Sequence, residues 1–189
     1  MAEKVRVGIN GFGRIGRLFM RCALSSPDLV VVHVNEPNGG VETAAYLLEF
    51  DSVHGRLPVP VTVAGSAAFD VDGHRVTFSD QSTPGAVPWE QHGVEIVVEC
   101  SGEFRTAPLL EPFFDRGVRR VVVSAPVKDA AALNVVVGCN EAELTAEKRV
   151  VTAASSAESS APCRRLATAK RAGKRAAAPA AVVVAAPAA

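Results

Sequence analysis

The sequence lacks the features of metal-binding, disulfide-rich and membrane-spanning proteins. Its four cysteines include no Cys-x-x-Cys pair and none is spaced with a histidine as zinc ligands are. Scattered cysteines of this kind are typical of small buried side chains in a reducing compartment. No signal peptide precedes the first predicted strand, and no apolar run is long enough to cross a bilayer. These absences favour a cytoplasmic protein with no metal site.

The formal net charge of zero conceals an asymmetry along the chain. Residues 1–154 carry 14 Lys and Arg against 19 Asp and Glu, whereas residues 155–189 carry 6 against 1. The first part is therefore acidic and the second basic, with a boundary near Ser155. We predict one domain over 1–154 and a disordered, Ala- and Arg-rich tail over 155–189.

The segment VRVGINGFGRIGR at 5–17 is the most informative one. Its apolar start predicts a buried strand, which then turns through Gly-x-Gly-x-x-Gly into a helix. In a dinucleotide site, Gly11 permits the tight turn, Gly13 lets the backbone approach a pyrophosphate, and Gly16 allows close packing of helix and strand. The start of the helix offers unpaired N–H groups to a phosphate.

A second predicted strand, LVVVHV at 29–34, is followed by an acidic residue, Glu36, 20 positions beyond Gly16. At this spacing a carboxylate accepts hydrogen bonds from the adenosine ribose. It also repels a 2′-phosphate. The sequence therefore predicts an NAD site rather than an NADP site.

Further predicted strands alternate with helices, which indicates a Rossmann-type, doubly wound and mostly parallel α/β sheet. Ligands bind such sheets beyond the carboxyl ends of the strands, where Gly11–Gly16, Glu36, Ser101-Gly102 and Ser124 are expected to meet.

Several residues receive no functional role at this point. In the first helix, Ile15, Leu18, Phe19 and Cys22 are expected to share a face. Glu95 and Glu99 are interpreted as a strand edge and a strand end, Trp89 as packing, and none of the four histidines is assigned a role.

Five segments together resemble one enzyme family. GINGFGRIGR, FDSVHGR at 50–56, ECSGEF at 99–104, SAPVKDA at 124–130 and VVGCN at 136–140 are similar to the amino-terminal half of phosphorylating glyceraldehyde-3-phosphate dehydrogenase. The resemblance implies a tetrameric, NAD-dependent oxidoreductase of glycolysis. Glu36 with LLEFDSVHGR and ECSG is also similar to a branch associated with arsenate detoxification, so both roles stay open.

The resemblance also implies particular cofactor contacts. The Arg14-Ile15 backbone would hold the pyrophosphate, Glu36 the adenosine ribose, Ser101 the cofactor cleft, and Ser124 the nicotinamide end. Most members of the family have Asp at the position of Glu36 and an Arg near Gln81. The expected cofactor-binding residues are Asn10, Gly11, Phe12, Gly13, Arg14, Ile15, Gly16, Glu36, Ser101, Gly102 and Ser124.

The resemblance ends where the family's catalytic domain begins. The segment VVTAAS at 150–155 is similar to the one that precedes the nucleophilic cysteine in the family, but Ser156 stands at the position of that cysteine. No histidine follows His92, and the tail replaces the substrate domain. Cys163 lies beside Arg164 and Arg165, yet nothing directs its thiol toward a cofactor. We therefore expect no catalytic residue and an NAD-binding domain that is truncated and inactive alone.

Three interpretations remain. The chain is either such a cofactor domain or a non-enzymatic NAD-binding module whose basic tail contacts nucleic acid or another partner. The abrupt change at Ser155 would also fit a lost reading frame, and thus a degraded gene product.

Overall fold

The computed structural model describes residues 4–127, 129, 132–136 and 140–153. The predicted tail, with Ser156 and Cys163, lies outside the described residues, and so does Cys139. No helix in the described ranges has the length and apolar character needed to span a membrane.

Eleven strands and three α-helices form the described domain. The strands are β1 (Val5–Asn10), β2 (Leu29–Asn35), β3 (Phe50–Asp51), β4 (Gly55–Arg56), β5 (Val61–Val63), β6 (Ala68–Val71), β7 (His74–Ser79), β8 (Ile96–Glu99), β9 (Arg120–Val123), β10 (Ala132–Val135) and β11 (Val150–Ala153). The helices are α1 (Arg14–Ala23), α2 (Gly40–Glu49) and α3 (Ala107–Asp115).

Nine of these strands form one sheet in the order β10-β11-β9-β8-β1-β2-β7-β6-β5, while β3 and β4 form a separate hairpin. From β10 to β7 every pairing is parallel, and β5, β6 and β7 pair antiparallel. The predicted Rossmann-type, mostly parallel fold is confirmed.

Two hydrophobic clusters cover the sheet, and its central strands are rich in valine and isoleucine, as is typical of parallel strands buried on both faces. One hydrophobic cluster packs α1 and α2 against the sheet and includes Phe19, Met20 and Leu48. The other contains Trp89 and, from α3, Phe113. Trp89 is fully buried, and its indole Nε1–H donates to Pro84 O at 3.1 Å, so its predicted packing role is confirmed.

The predicted face of α1 is wrong in part. Phe19 is buried as expected, but the Ile15 side chain is 53% exposed and Cys22 is exposed as well. The buried residues are Gly16, Phe19, Met20 and Ala23. The face is set by Gly16, where the helix approaches the Gly11 carbonyl so closely that no side chain fits.

Strand β11 occupies a place that sequence patterning does not predict. From the sequence, residues 150–153 are recognised only as part of the segment that precedes the family's catalytic cysteine. In the structure they form a strand that pairs with both β9 and β10. The last described strand is therefore an internal strand of the sheet.

Candidate functional site

The site lies where β1 is flanked by β2 on one side and β8 on the other. The chain leaves β1 toward β2 and returns much later to β8, so the carboxyl ends of these strands border a crevice. Asn10, Asn35 and Glu99 are their last residues. All three side chains are buried at the base of the crevice.

The three glycines after β1 have different surroundings. Gly11 has φ +87°, and a Cβ there would lie 2.4 Å from Ser101 N. A Cβ on Gly16 would lie 2.2 Å from Gly11 O, whereas a Cβ on Gly13 would meet no atom within 4 Å. Gly11 and Gly16 are thus required by the fold, and Gly13 leaves space open in the crevice.

Helix α1 begins beside that space. Its N-cap residue, Gly13, has no side chain to cap the helix. The N–H groups of Arg14 and Ile15 are in the first turn and have no acceptor within the helix. They present the positive end of the helix dipole to an anion in the crevice.

Glu36 follows β2 and faces the glycine turn. Its Oε2 accepts a hydrogen bond from Phe12 N at 2.7 Å. Its Oε1 accepts from the backbone N of Asn38 at 3.1 Å and from Asn38 Nδ2 at 3.3 Å. These donors hold the carboxylate at the rim of the crevice.

A chain of hydrogen bonds runs beneath the crevice from one side to the other. Gln81 N donates to Asn35 Oδ1 at 2.9 Å, and Asn35 Nδ2 donates to Asn10 Oδ1 at 2.8 Å. Asn10 Nδ2 donates to Glu99 Oε2 at 2.5 Å. From the opposite side, Ser101 N donates to Glu99 Oε1 at 2.7 Å, and the Ser101 hydroxyl donates to the same oxygen.

Glu99 is fully buried, and the hydrogen bonds from both sides of the crevice end at its carboxyl group. Burial raises its pKa, and hydrogen bonds from Ser101, Asn10 and the Gly102 backbone oppose that rise. In the described part of the protein, no Lys, Arg or His forms an ion pair with it. Glu99 is a strand end, as interpreted from the sequence, but its carboxyl group also accepts hydrogen bonds from Asn10 and Ser101, which line the crevice.

A cavity of about 150 Å³ opens above these residues. It is smaller than the 300–1,000 Å³ typical of pockets that enclose a whole ligand, so it has room for only part of a molecule as large as a dinucleotide. Its lining includes five of the predicted residues, Asn10, Gly11, Gly13, Glu36 and Ser101. It also includes residues that were not predicted, namely Asn35, Pro37, Asn38, Gln81, Ser82, Cys100, Glu103 and Phe104.

The remaining predicted residues lie around the cavity. Phe12 contributes its backbone N–H to Glu36, and the turn at Gly102 has φ +79°. Ser124 follows β9, outside the cavity lining, and its N–H donates to Glu99 O at 2.9 Å. Of the unpredicted lining residues, Asn35 had a signal in the sequence, since it is a polar residue that ends β2 just as Asn10 ends β1.

Cys100 is the cysteine that lines the cavity. Burial, and secondarily the charge of Glu99, raise the pKa of its thiol to about 12. The thiol is therefore protonated near neutral pH and is a poor nucleophile. Within the described ranges, no group of three or more His, Cys, Asp or Glu side chains is arranged to hold a metal ion.

Comparison with known families supports the cofactor suggested by this geometry. Residues 5–107 match the family described as "Glyceraldehyde 3-phosphate dehydrogenase, NAD binding domain". The matched segment includes β1, the glycine turn, Glu36 and the turn at Ser101-Gly102.

Individual relatives agree with this match. The chain is 52% identical over 153 residues to glyceraldehyde-3-phosphate dehydrogenase 3 of Nostoc sp., which covers 80% of this chain and 45% of the relative. It is 40% identical over 158 residues to glyceraldehyde-3-phosphate dehydrogenase 1 of Kluyveromyces lactis, covering 84% of this chain and 47% of that protein. The chain thus spans about half the length of the relatives it matches.

Proposed function

The chain belongs to the glyceraldehyde-3-phosphate dehydrogenase family through its NAD-binding domain, and from this we propose that the crevice between β2 and β8 is its NAD site. The domain we propose extends over 1–154 and ends just after β11. The main observation in support of this site is the open space at Gly13. This space lies beside the start of α1, whose first N–H groups have no acceptor within the helix.

The residues around that space fit the parts of NAD. The N–H groups of Arg14 and Ile15 would hold the pyrophosphate, which carries negative charge. Gly13 would allow the phosphates to approach the backbone. The adenosine would then occupy the cavity bordered by Glu36 and Ser101, while Ser124 would lie toward the nicotinamide.

Glu36 would select NAD over NADP. The carboxylate is held by Phe12 and Asn38 but keeps acceptor capacity for the ribose hydroxyls. A 2′-phosphate in the same place would meet a like charge. The extra methylene of Glu relative to Asp is accommodated because Phe12 N–H anchors the carboxylate against the glycine turn.

Calorimetric titration with NAD and NADP tests this proposal. We expect NAD to bind at least about tenfold more tightly than NADP. In Glu36→Ala we expect about a tenfold loss of NAD affinity and a smaller difference between the cofactors, since both the acceptor and the repulsion are removed. Glu111→Ala, at an exposed acid on α3, is the control and should bind as the wild type does. Equal binding of NAD and NADP by the wild-type chain would contradict the assignment of Glu36.

Bound NAD supplies a hydride acceptor, and the described residues would bind and orient it. We propose that the chain is the cofactor-binding half of an aldehyde-oxidising dehydrogenase and does not itself carry out the oxidation. The raised pKa of the Cys100 thiol supports this, because a protonated thiol is a poor nucleophile toward an aldehyde. Oxidation of glyceraldehyde 3-phosphate with reduction of NAD by the purified chain would overturn this part.

Other sequence-based expectations stay predictions. They are a cytoplasmic location, assembly into homo-oligomers, the choice between glycolytic and arsenate-linked roles, and contact of residues 155–189 with nucleic acid. Loss of salt-sensitive nucleic-acid binding on deletion of 156–189 would support the last of these.

A further inference from the structure

The direction of each hydrogen bond beneath the crevice is fixed by backbone groups. Asn35 pairs with Gln81 through both atoms of its amide: Gln81 N donates to Oδ1 at 2.9 Å, and Nδ2 donates to Gln81 O at 2.9 Å. A backbone N–H cannot become an acceptor, so the Asn35 amide cannot flip. Its Nδ2 must therefore be the donor to Asn10 Oδ1.

The orientation of Asn35 in turn fixes the orientation of the Asn10 amide. Because Asn10 Oδ1 accepts from Asn35, Asn10 Nδ2 is turned toward Glu99 Oε2 and donates to it. At the other end, Ser101 N is again a backbone donor and points to Glu99 Oε1. Residue 99 must therefore accept hydrogen bonds at both of its terminal atoms.

Only a carboxyl group meets this requirement. A glutamine has nearly the same shape, but one of its terminal atoms is an NH₂ donor. In either orientation that donor would face another donor, either Asn10 Nδ2 or Ser101 N. Opposed donors leave at least one buried N–H group without an acceptor, either that of Asn10 Nδ2 or that of Ser101 N, which is costly.

The turn that Glu99 holds is part of the crevice wall. Ser101 N and Cα would be 2.4 and 2.6 Å from a Cβ on Gly11, so this turn lies directly against the first glycine of the glycine turn at Gly11–Gly16. Asn35 O also accepts the Gly11 N–H at 2.9 Å. The residues oriented by Glu99 thus border the glycine turn on both sides.

We propose that Glu99 is a positioning residue for NAD, which rests on the NAD site proposed above: its two acceptor oxygens orient Asn10, Asn35 and Ser101 and thereby fix the floor of the crevice. A buried carboxyl group without a cationic partner lowers stability. We infer that position 99 nevertheless has a carboxyl group because its neighbours all donate hydrogen bonds to it.

The test replaces the carboxyl group and then reverses the direction of its bond to Asn10. Glu99→Gln places the glutamine NH₂ opposite another hydrogen-bond donor. We therefore expect about a tenfold weaker affinity for NAD and a lower urea midpoint of unfolding. Asn10→Asp places a second carboxylate against Glu99, and we expect similar losses. In the double variant, the new carboxylate at position 10 accepts from Asn35 and from the glutamine NH₂, while the glutamine oxygen accepts from Ser101. We expect it to regain most of both the affinity and the midpoint.

Calorimetric titration with NAD and urea unfolding of the four chains measure these effects. Glu95→Gln is the control for the same chemical change at a site outside the cavity, and its NAD affinity should stay within about twofold of the wild type. Wild-type affinity in Glu99→Gln, or a double variant no better than Glu99→Gln, would overturn the role of Glu99. If the wild-type chain fails to bind NAD, the proposed function fails, and the order of the unfolding midpoints still decides whether hydrogen-bond direction governs position 99.

Discussion

Gly13→Ala is expected to leave the free energy of unfolding within about 0.5 kcal/mol of the wild-type value while it weakens NAD binding by at least about tenfold. The backbone at Gly13 has φ −66° and ψ −161°, which an alanine adopts without strain. The new methyl group would meet no atom of the protein within 4 Å. It would instead occupy the space through which a pyrophosphate approaches the start of α1.

Gly11→Ala is the opposed variant in the same experiment. Here φ is +87°, and the methyl group would lie 2.4 Å from Ser101 N and 2.8 Å from Cys100 C. We expect it to lower the free energy of unfolding by about 3 kcal/mol or more. Urea unfolding and calorimetric titration with NAD, applied to both variants, separate the two roles. Unchanged NAD affinity in Gly13→Ala would contradict the position proposed for the pyrophosphate.

Acidification is expected to destabilise the domain through His33. This side chain is 1% exposed and stacks on His92 with ring centroids 4.2 Å apart. Its Nδ1 lies 2.7 Å from Thr77 Oγ1 and its Nε2 lies 2.9 Å from Ser79 Oγ. Burial, and secondarily the charge of His92, lower the pKa of His33 to about 3.

The sign of the effect follows from the two states. In the unfolded chain His33 binds a proton as the pH falls below about 6.5, whereas the folded protein keeps it neutral until about pH 3. Stability is therefore lost as the pH falls from 6.5 toward 3, and between pH 7.5 and 5 the loss is about 2 kcal/mol from this residue. The pKa of His92 is also lowered, mainly by burial, so it acts in the same direction.

Urea unfolding at several pH values measures this dependence. In His33→Gln the loss between pH 7.5 and 5 should shrink by about 2 kcal/mol, because the titrating group is gone. His74→Gln, at an exposed histidine on β7, should keep the wild-type dependence. An unaltered pH dependence in His33→Gln would show that His33 is not the group that titrates.

The local patterns predicted much of the framework. The turn at Gly11–Gly16, the helix after it, and an acid following β2 all occur where the sequence placed them. The Asp72-Gly73 turn between β6 and β7, with φ values of 52° and 78°, is a feature of the same local kind. Such features depend on a few neighbouring residues, so their physical causes are visible in the sequence itself.

Burial on helix α1 was harder to predict from its apolar residues. Ile15 is apolar but exposed, while the glycine beside it is buried. The closeness of Gly16 to the Gly11 carbonyl rotates the helix and decides which side chains face the sheet. Apolar periodicity alone does not contain that contact.

The sequence by itself determined the α/β fold, the NAD-binding family and the glycine turn, because these follow from local conformation and short spacings. Only the tertiary structure decided the roles of His33, Asn35 and Glu99. Asn10 and Glu99 are 89 positions apart, and they meet because parallel pairing brings the carboxyl ends of β1 and β8 side by side. Their chemistry depends on which backbone N–H groups lie at each end of the hydrogen-bond chain, and the sheet fixes those positions only when it is assembled.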